Sequence, residues 1–389
     1  MVELKIESEL HYISGENILQ ARKCVLLNSR QSKRPSRRDK WIQATKEAVE
    51  HFADDCVFLT SIGMNTWELA LHLVNECGGR QIIVIPAEDG INPANVIDSV
   101  NLDFKLDPAR VGFVFFNPSK SIKRSRKSCW LERDHIIVDL ADTIVPVSVR
   151  SGGNLESIIA AAAVEHDKHV ETRFAVEYRP AADRVTYNLN QKYINPRFAG
   201  SVWDYVTHWT RSSHTPYAGE SSLAYYHDII NSDRYPRTAS DTLARIVSER
   251  RIRASSRFIR GGYEVVSFTS LNPINAVKLM RWRRRYVYYS FEPYGIAIAR
   301  SYVARISIKP VIYGDSQLYE QLSDEERPFF QNRGSGNADW RPEAEFRHLG
   351  DLSLGRVPAD QVKLIVYRPA DAERFADLCP YEVIPLILT

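Results

Sequence analysis

The sequence predicts two domains of different class, an α/β domain built on a mostly parallel sheet followed by an α+β domain. Three observations predict this. A length of 389 residues exceeds what one hydrophobic core comfortably serves. Between Asp55 and Glu165, short apolar runs alternate with segments of helical period, as in sheets covered on both faces. After about residue 200 the helical segments thin out and aromatic and arginine residues take over. The expected boundaries are an N-terminal extension over 1–50, the α/β domain over 51–180, a linker rich in Asn, Arg and Pro over 181–200, and the α+β domain over 201–389.

In the extension, Val2 to Ile6 alternates, and Arg30 to Lys40 is a basic run that reads as an exposed loop before a helix from Trp41 to Phe52. The α/β pattern then begins. Cys56 to Thr60 reads as a buried strand, Ser61 to Thr66 as a turn, and Trp67 to Cys77 as a helix ended by Gly78-Gly79. Gln81 to Pro86 and Val111 to Phe116 are two further apolar strands. A basic loop over Ser119 to Ser128 precedes a helix from Trp130. The apolar segment Ala141 to Val149 follows, and Ser151-Gly-Gly-Asn-Leu-Glu156 opens a helix over Ser157 to Glu165. Ligands of such sheets bind beyond the carboxyl ends of the strands, where helix N-termini favour phosphate. Gly63 and the pair Gly152-Gly153 are therefore candidate cradles, with Asn154 and Glu156 beside them; tight helix-to-strand packing is the competing reading.

Leu59-Thr-Ser-Ile-Gly-Met-Asn-Thr-Trp-Glu-Leu-Ala-Leu-His72, Gly78-Gly79-Arg80-Gln-Ile-Ile-Val84, Arg133-Asp-His-Ile-Ile137 and Ser151 to Glu156 together resemble the DprA/LOG (SLOG) Rossmann-like superfamily. The resemblance spans roughly residues 50 to 180. It implies binding of a nucleotide, a nucleotide-derived signal or single-stranded DNA. It also implies a first ligand turn at Gly63, a family helix entered at Arg133, and a second ligand turn at Gly152, Gly153 and Glu156. Met64-Asn65 stands where DprA proteins carry Arg-Gly, which points to ligand sensing rather than DNA loading.

Beyond the linker, a strand starting at Val202 carries His208 and Thr210 on one side. A helix over Ser240 to Val247, a strand over Val265 to Thr269, and the segments Tyr294 to Ala299, Lys309 to Gly314, Glu343 to Arg347 and Val362 to Val366 follow. A carboxylate between Arg341 and Arg347 is placed to accept a hydrogen bond or steady a developing positive charge; a solvated edge strand is the ordinary alternative. His-x-Thr, then Ser-Phe-Thr, then a Tyr-Gly turn, then Glu343-Ala-Glu-Phe-Arg347 resemble, in that order, the DarT-like and abortive-infection-associated ADP-ribosyltransferases. That resemblance covers about residues 200 to 368. It implies an NAD-dependent transferase in which Glu345 binds the ribose and activates the acceptor, with His208 on the adenosine ribose beside Thr210. Tyr294 and Tyr313 are stacking candidates for nicotinamide, and Arg211, Arg253 or Arg257 is the candidate partner of the pyrophosphate. His208 and Tyr294 as core residues and the arginines as surface charge are the structural alternatives.

Arg281-Trp282-Arg283-Arg284-Arg285, followed by Tyr288 and Tyr289, interleaves cations with rings suited to nucleic acid; an amphipathic element with its rings in the core has the same pattern. Gly334-Ser-Gly336 reads as a flexible loop. Net charge is only +3, so global charge selects no partner. Cys24, Cys56, Cys77, Cys129 and Cys379 have neither disulfide-framework nor zinc-ligand spacing, so no metal is expected from them. No apolar signal core or membrane span is evident, and a cytoplasmic location is expected. The combined expectation is a defence-type, antiviral effector that takes NAD, with a nucleotide or nucleic-acid sensor and a macromolecular acceptor. NAD hydrolysis at the same residues and a non-catalytic nucleic-acid-binding module are the alternatives; homo-oligomerisation is left open.

Overall fold

The computed structural model describes residues 10–13, 18, 20–87, 90–118, 126–199, 203–257, 259–284, 287–334 and 340–389. They form two compact units, Met1–Asp183 with Thr215–Pro236, and Arg184–His214 with Arg237–Thr389.

The first unit is an α/β sandwich. Its strands are β1 (Leu10–Ile13), β2 (Lys23–Asn28), β3 (Val57–Ser61), β4 (Arg80–Pro86), β5 (Val111–Phe116), β6 (Thr143–Ser148) and β7 (His169–Val170). They lie in the order β1-β5-β4-β3-β2-β6-β7, with six parallel strands and β1 antiparallel on the β5 edge. Helices α1 (Lys40–Phe52), α2 (Asn65–Glu76), α3 (Pro93–Phe104), α4 (Arg126–Leu140), α5 (Asn154–Glu165) and α6 (Ser222–Asn231) accompany them.

Successive strand residues serve opposite faces. Cys24, Leu26, Phe58, Ile83, Ile85, Phe113 and Phe115 meet residues of α1, α2, α3 and α6. Val25, Leu27, Leu59, Ile82, Val84, Val114 and Phe116 meet residues of α4 and α5. Double coverage is why β4 and β5 read as nearly unbroken apolar runs. Each fully buried Leu or Phe contributes about 2 kcal/mol.

The described residues from 20 to 50 are part of the first unit rather than an extension before it. Cys24, Val25 and Leu27 are fully buried, and β2 lies between β3 and β6 inside the sheet. The Arg30 to Lys40 run is only partly solvated: Gln31 and Ser32 are buried, Gln31 Nε2 donates to Ser148 Oγ (3.0 Å), and Ser32 Oγ donates to Asp183 (2.8 Å). Helix α6 comes from just past the midpoint of the sequence, within the stretch that otherwise forms the second unit, yet buries Tyr225, Tyr226, Ile229 and Ile230 in the first unit.

The second unit is a mixed sheet of β8 (Tyr205–Trp209), β9 (Val265–Thr269), β10 (Gly295–Ala299), β11 (Lys309–Pro310), β12 (Glu345–Leu349), β13 (Val362–Val366) and β14 (Glu382–Pro385). The order is β11-β12-β9-β8-β10-β13-β14, antiparallel except for β13 with β14. Helix α7 (Ala239–Glu249) begins at a capping box of Thr238 and Asp241, one residue before the expected start at Ser240. One sheet face packs Val206, Val266, Phe268, Ile296 and Leu364 against α7 and the helix Pro369–Ala376. The other packs Trp209, Ala297 and Ile365 against Ile194, Phe198 and Met280. Residues 184–199 of the expected linker instead belong to this unit: Ile194 and Phe198 are buried in its core, and Asn195 Nδ2 donates to Pro385 O (2.9 Å). No helix among the described residues is long and apolar enough to cross a membrane.

Candidate functional site

Strand β12 starts at Glu345 because Ala344, at φ 44°, turns the chain out of a short 3-10 turn over Arg341–Glu343. Glu343 therefore does not share a strand face with Glu345, as a continuous strand would have arranged. From β12, Glu345 and Arg347 point the same way, and Arg347 Nε and Nη2 donate to the two oxygens of Glu345 (2.8 and 3.1 Å). Arg347 is buried, at 1% exposure, and its other donors go to Pro328 O, Phe330 O and Gln331 Oε1. The guanidinium is thus fixed on four acceptor groups, and it fixes the carboxylate in turn.

On neighbouring β9, Ser267 pairs across from Arg347, and its hydroxyl donates to Glu345 Oε1 (2.7 Å). Its carbonyl holds His208 of β8, whose Nδ1 lies 2.8 Å away. A carbonyl only accepts, so Nδ1 carries the proton and the neutral ring presents Nε2 as an acceptor. Burial pushes the His208 pKa down to about 4 against the Ser267 bond, with Arg211 adding to the fall. Strands β8 and β9 share a single register pair, Thr207 with Thr269, and the imidazole takes a carbonyl that a longer ladder would have used. Ser267 therefore joins His208 to Glu345.

Around this core, Tyr313 Oη accepts the Glu345 backbone N–H (3.1 Å), and burial raises the Tyr313 pKa, so its hydroxyl keeps its proton to donate. Glu343 is half-buried and its pKa is pushed up to about 7, first by burial and then by Glu345, with Arg283 and Arg211 acting the other way. Arg211 and Arg257 each sit 5.4 Å from the Tyr288 ring. The site therefore combines a fixed carboxylate, a second carboxyl near neutrality, a neutral imidazole and cations stacked on a ring.

Three expected members stand elsewhere. Thr210 is buried and its hydroxyl is shared between Ala239 O and Tyr294 O (2.9 and 3.0 Å). Tyr294 is buried in the core that contains Phe268 and Ile296, with its hydroxyl on Asp371 (3.1 Å). Arg253 is paired with Glu249 (2.9 Å). Burial accounts for Thr210 and Tyr294, since a buried polar group must find a partner and these found theirs inside the fold, whereas Arg253 is exposed and held by a surface ion pair.

The basic aromatic stretch is a short hairpin, Trp282–Arg283 against Tyr288–Tyr289. Arg283 and Tyr288 form one cross-strand pair, and their electrostatic partners are Glu343 and Arg211. Trp282 and Tyr289 form the other, with rings 5.3 Å apart, and line a groove of about 630 Å³ with Arg184, Lys278, Arg281 and Arg284. Arg285, the basic loop at 119–125 and the loop residues 335–339 lie outside the described residues.

In the first unit the strand order reverses between β2 and β6. Such switch points open a crevice beyond the strand ends, here flanked by the loops after Asn28 and Ser148. Both glycine turns have the left-handed φ that glycine permits, 90° at Gly63 and 68° at Gly152. Their amides are already engaged. Gly63 N donates to Glu68 (2.8 Å) and Gly152 N to Glu156 (2.7 Å), so Glu156 caps its own helix rather than reaching outward. Glu68 also accepts from Tyr226 Oη (2.7 Å); burial raises its pKa, with both hydrogen bonds opposing. Gly153 begins α5, and a Cβ there would lie 2.9 Å from Arg150 O. Arg133 is buried at 1% exposure; it pairs with Asp134 (2.8 Å), donates to Ile62 O (3.2 Å) and lies 5.2 Å from the Trp67 ring. It fastens the first turn from inside.

Sequence reasoning placed Ser267 in a Ser-Phe-Thr motif without giving it a role, and gave none to Glu68. The signal for Ser267 is a hydroxyl at alternate positions with Thr269 in an apolar run, which places both opposite Val266 and Phe268.

No family model and no curated protein matches the chain. Among solved structures, DNA processing protein A of Helicobacter pylori, described with its single-stranded DNA binding mode, aligns with 43% of this chain and 74% of its own at 14% identity and a TM-score of 0.31. DNA processing protein A of Streptococcus pneumoniae aligns with 41% of this chain and 53% of its own at 15% identity and a TM-score of 0.30. The molybdenum cofactor carrier protein of Chlamydomonas reinhardtii aligns with 39% and 75% at 16% identity and a TM-score of 0.24. Likenesses this distant assign no activity to the chain.

Proposed function

We propose that the second unit is an NAD-cleaving domain of ADP-ribosyltransferase type, with Glu345 as its catalytic carboxylate, in a defence effector whose first unit senses a nucleotide or nucleic-acid ligand. The observation that supports this best is Glu345 held between a buried guanidinium and the Ser267 hydroxyl, one residue link from His208. The donor set suits NAD: cations at Arg211 and Arg257 for a pyrophosphate, Tyr288 and Tyr313 as rings, and an imidazole acceptor for a sugar hydroxyl. NAD supplies the labile bond to nicotinamide. Glu345 accepts a hydrogen bond from the ribose and stabilises positive charge as that bond breaks. Glu343, near neutrality, exchanges a proton with the incoming acceptor. His208 orients through Nε2, and Arg211 with Arg257 holds the pyrophosphate.

The groove lined by Trp282, Tyr289, Arg281 and Arg284 favours a nucleic acid, as acceptor or as the ligand of a non-catalytic module. For the first unit, the switch point between β2 and β6 supports a nucleotide ligand. The test is incubation of purified protein with NAD, alone and with single-stranded DNA or RNA, following nicotinamide release and labelled ADP-ribose. Label on a macromolecule supports transfer, and free ADP-ribose supports hydrolysis. No release in any arm, with salt-sensitive nucleic-acid binding retained, favours the binding module.

A further inference from the structure

In the first unit, His72 and Glu76 lie one helical turn apart on the same face of α2, and His227 of α6 faces them. One ligand atom from each residue lies within 4.8 Å of the others, and His227 Nδ1 is 3.8 Å from Glu76 Oε1. His72 is 2% exposed, and both its ring nitrogens are buried without a hydrogen-bond partner. A buried imidazole with neither nitrogen satisfied is costly, and it demands a partner. The other two side chains are exposed: His227 by 58% and Glu76 by 40%. The polar neighbour of the His227 ring is Asn231, at 3.3 to 3.4 Å, a weak contact.

We propose that His72, Glu76 and His227 bind one divalent transition-metal ion of the zinc type, tying α6 to α2 within the first unit. Two imidazoles and a carboxylate are a three-ligand set that zinc accepts, with a fourth position left for water. Bonds of about 2.0–2.1 Å require donors roughly 3.4 Å apart, which the exposed tips of His227 and Glu76 reach by side-chain rotation. Helix α6 reaches this core from a distant part of the sequence, and a metal clamp fixes it there.

The test uses tag-free, chelator-treated full-length protein titrated with zinc chloride by calorimetry. Hydrogen exchange of residues 222–231 is followed in parallel. One equivalent of zinc should bind and slow exchange in α6. His227→Ala changes an exposed side chain and should keep the fold, yet weaken zinc binding at least about tenfold and abolish the protection. Glu76→Gln should weaken binding by a smaller factor. The assignment is overturned if the wild-type protein takes up no zinc, or if His227→Ala binds it as tightly with α6 equally protected.

Discussion

Glu68 in the parallel-sheet unit and Glu345 in the mixed-sheet unit both hold a turn or strand end together, and they do so with opposite partners. Glu68 accepts from a neutral amide and a neutral phenol, and burial raises its pKa. Glu345 faces a guanidinium across both its oxygens and keeps part of its surface in solvent, with its side chain 13% exposed. The first arrangement closes a turn and occupies the Gly63 amide. The second immobilises a carboxylate while leaving a face for a ligand. The same residue type is structural in one place and chemically poised in the other because of what surrounds it.

Four measurements break or sharpen this contrast. Arg347→Met removes the cation from Glu345 and the donors from Pro328 O, Phe330 O and Gln331. Urea unfolding should show a loss of about 3 kcal/mol or more; Glu68→Gln should cost only about 1 kcal/mol. Equal costs would erase the distinction. Glu345→Gln, which keeps the shape of the side chain, should slow NAD cleavage about 100-fold or more with an unchanged circular dichroism spectrum. An unaltered rate removes Glu345 from the chemistry.

The third concerns protons. Glu343 ionises near pH 7 in the folded protein, against 4.5 for a free side chain, so the folded state holds this proton more tightly. Its contribution to stability is therefore full at low pH and lost as pH rises from about 4.5 through 7. Glu343→Gln should flatten the melting-temperature profile across that window; an unchanged slope refutes the assignment. The smallest effect is expected in the other unit. Glu156→Ala should cost about 1 kcal/mol of stability and free the Gly152 amide. Added inorganic phosphate should then shift the Gly152 amide resonance in the variant and leave the wild type unmoved. A wild-type shift would show that the turn binds anions despite its own glutamate.

Local pattern made much of the fold legible. Val111–Phe116, Val265–Thr269 and Val362–Val366 coincide with the strands read from apolar runs. Helix α3 carries the signal of Asn92 as cap and Pro93 in its first turn, but few of its residues are buried, so its apolar pattern is weak. Of the candidate residues, Glu345 and His208 are linked through Ser267, whereas Thr210, expected beside His208 from strand period, Tyr294, expected from motif order, and Arg253, expected from its charge, have partners elsewhere. Order does not say which face or partner a side chain takes.

The sequence by itself determined the two classes of sheet, the strands of central apolar runs, the glycine turns and the carboxylate of β12. Period and composition act over a few residues, and those signals are local. Tertiary structure alone decided that β2 lies inside the parallel sheet, that residues 184–199 belong to the second core and that α6 belongs to the first. It also decided that Ser267 joins His208 to Glu345 and that His72, Glu76 and His227 meet. These depend on which surfaces close over one another. An amphipathic segment announces that it will be buried, but its burial free energy is nearly the same against any apolar face, so only the assembled fold selects the partner.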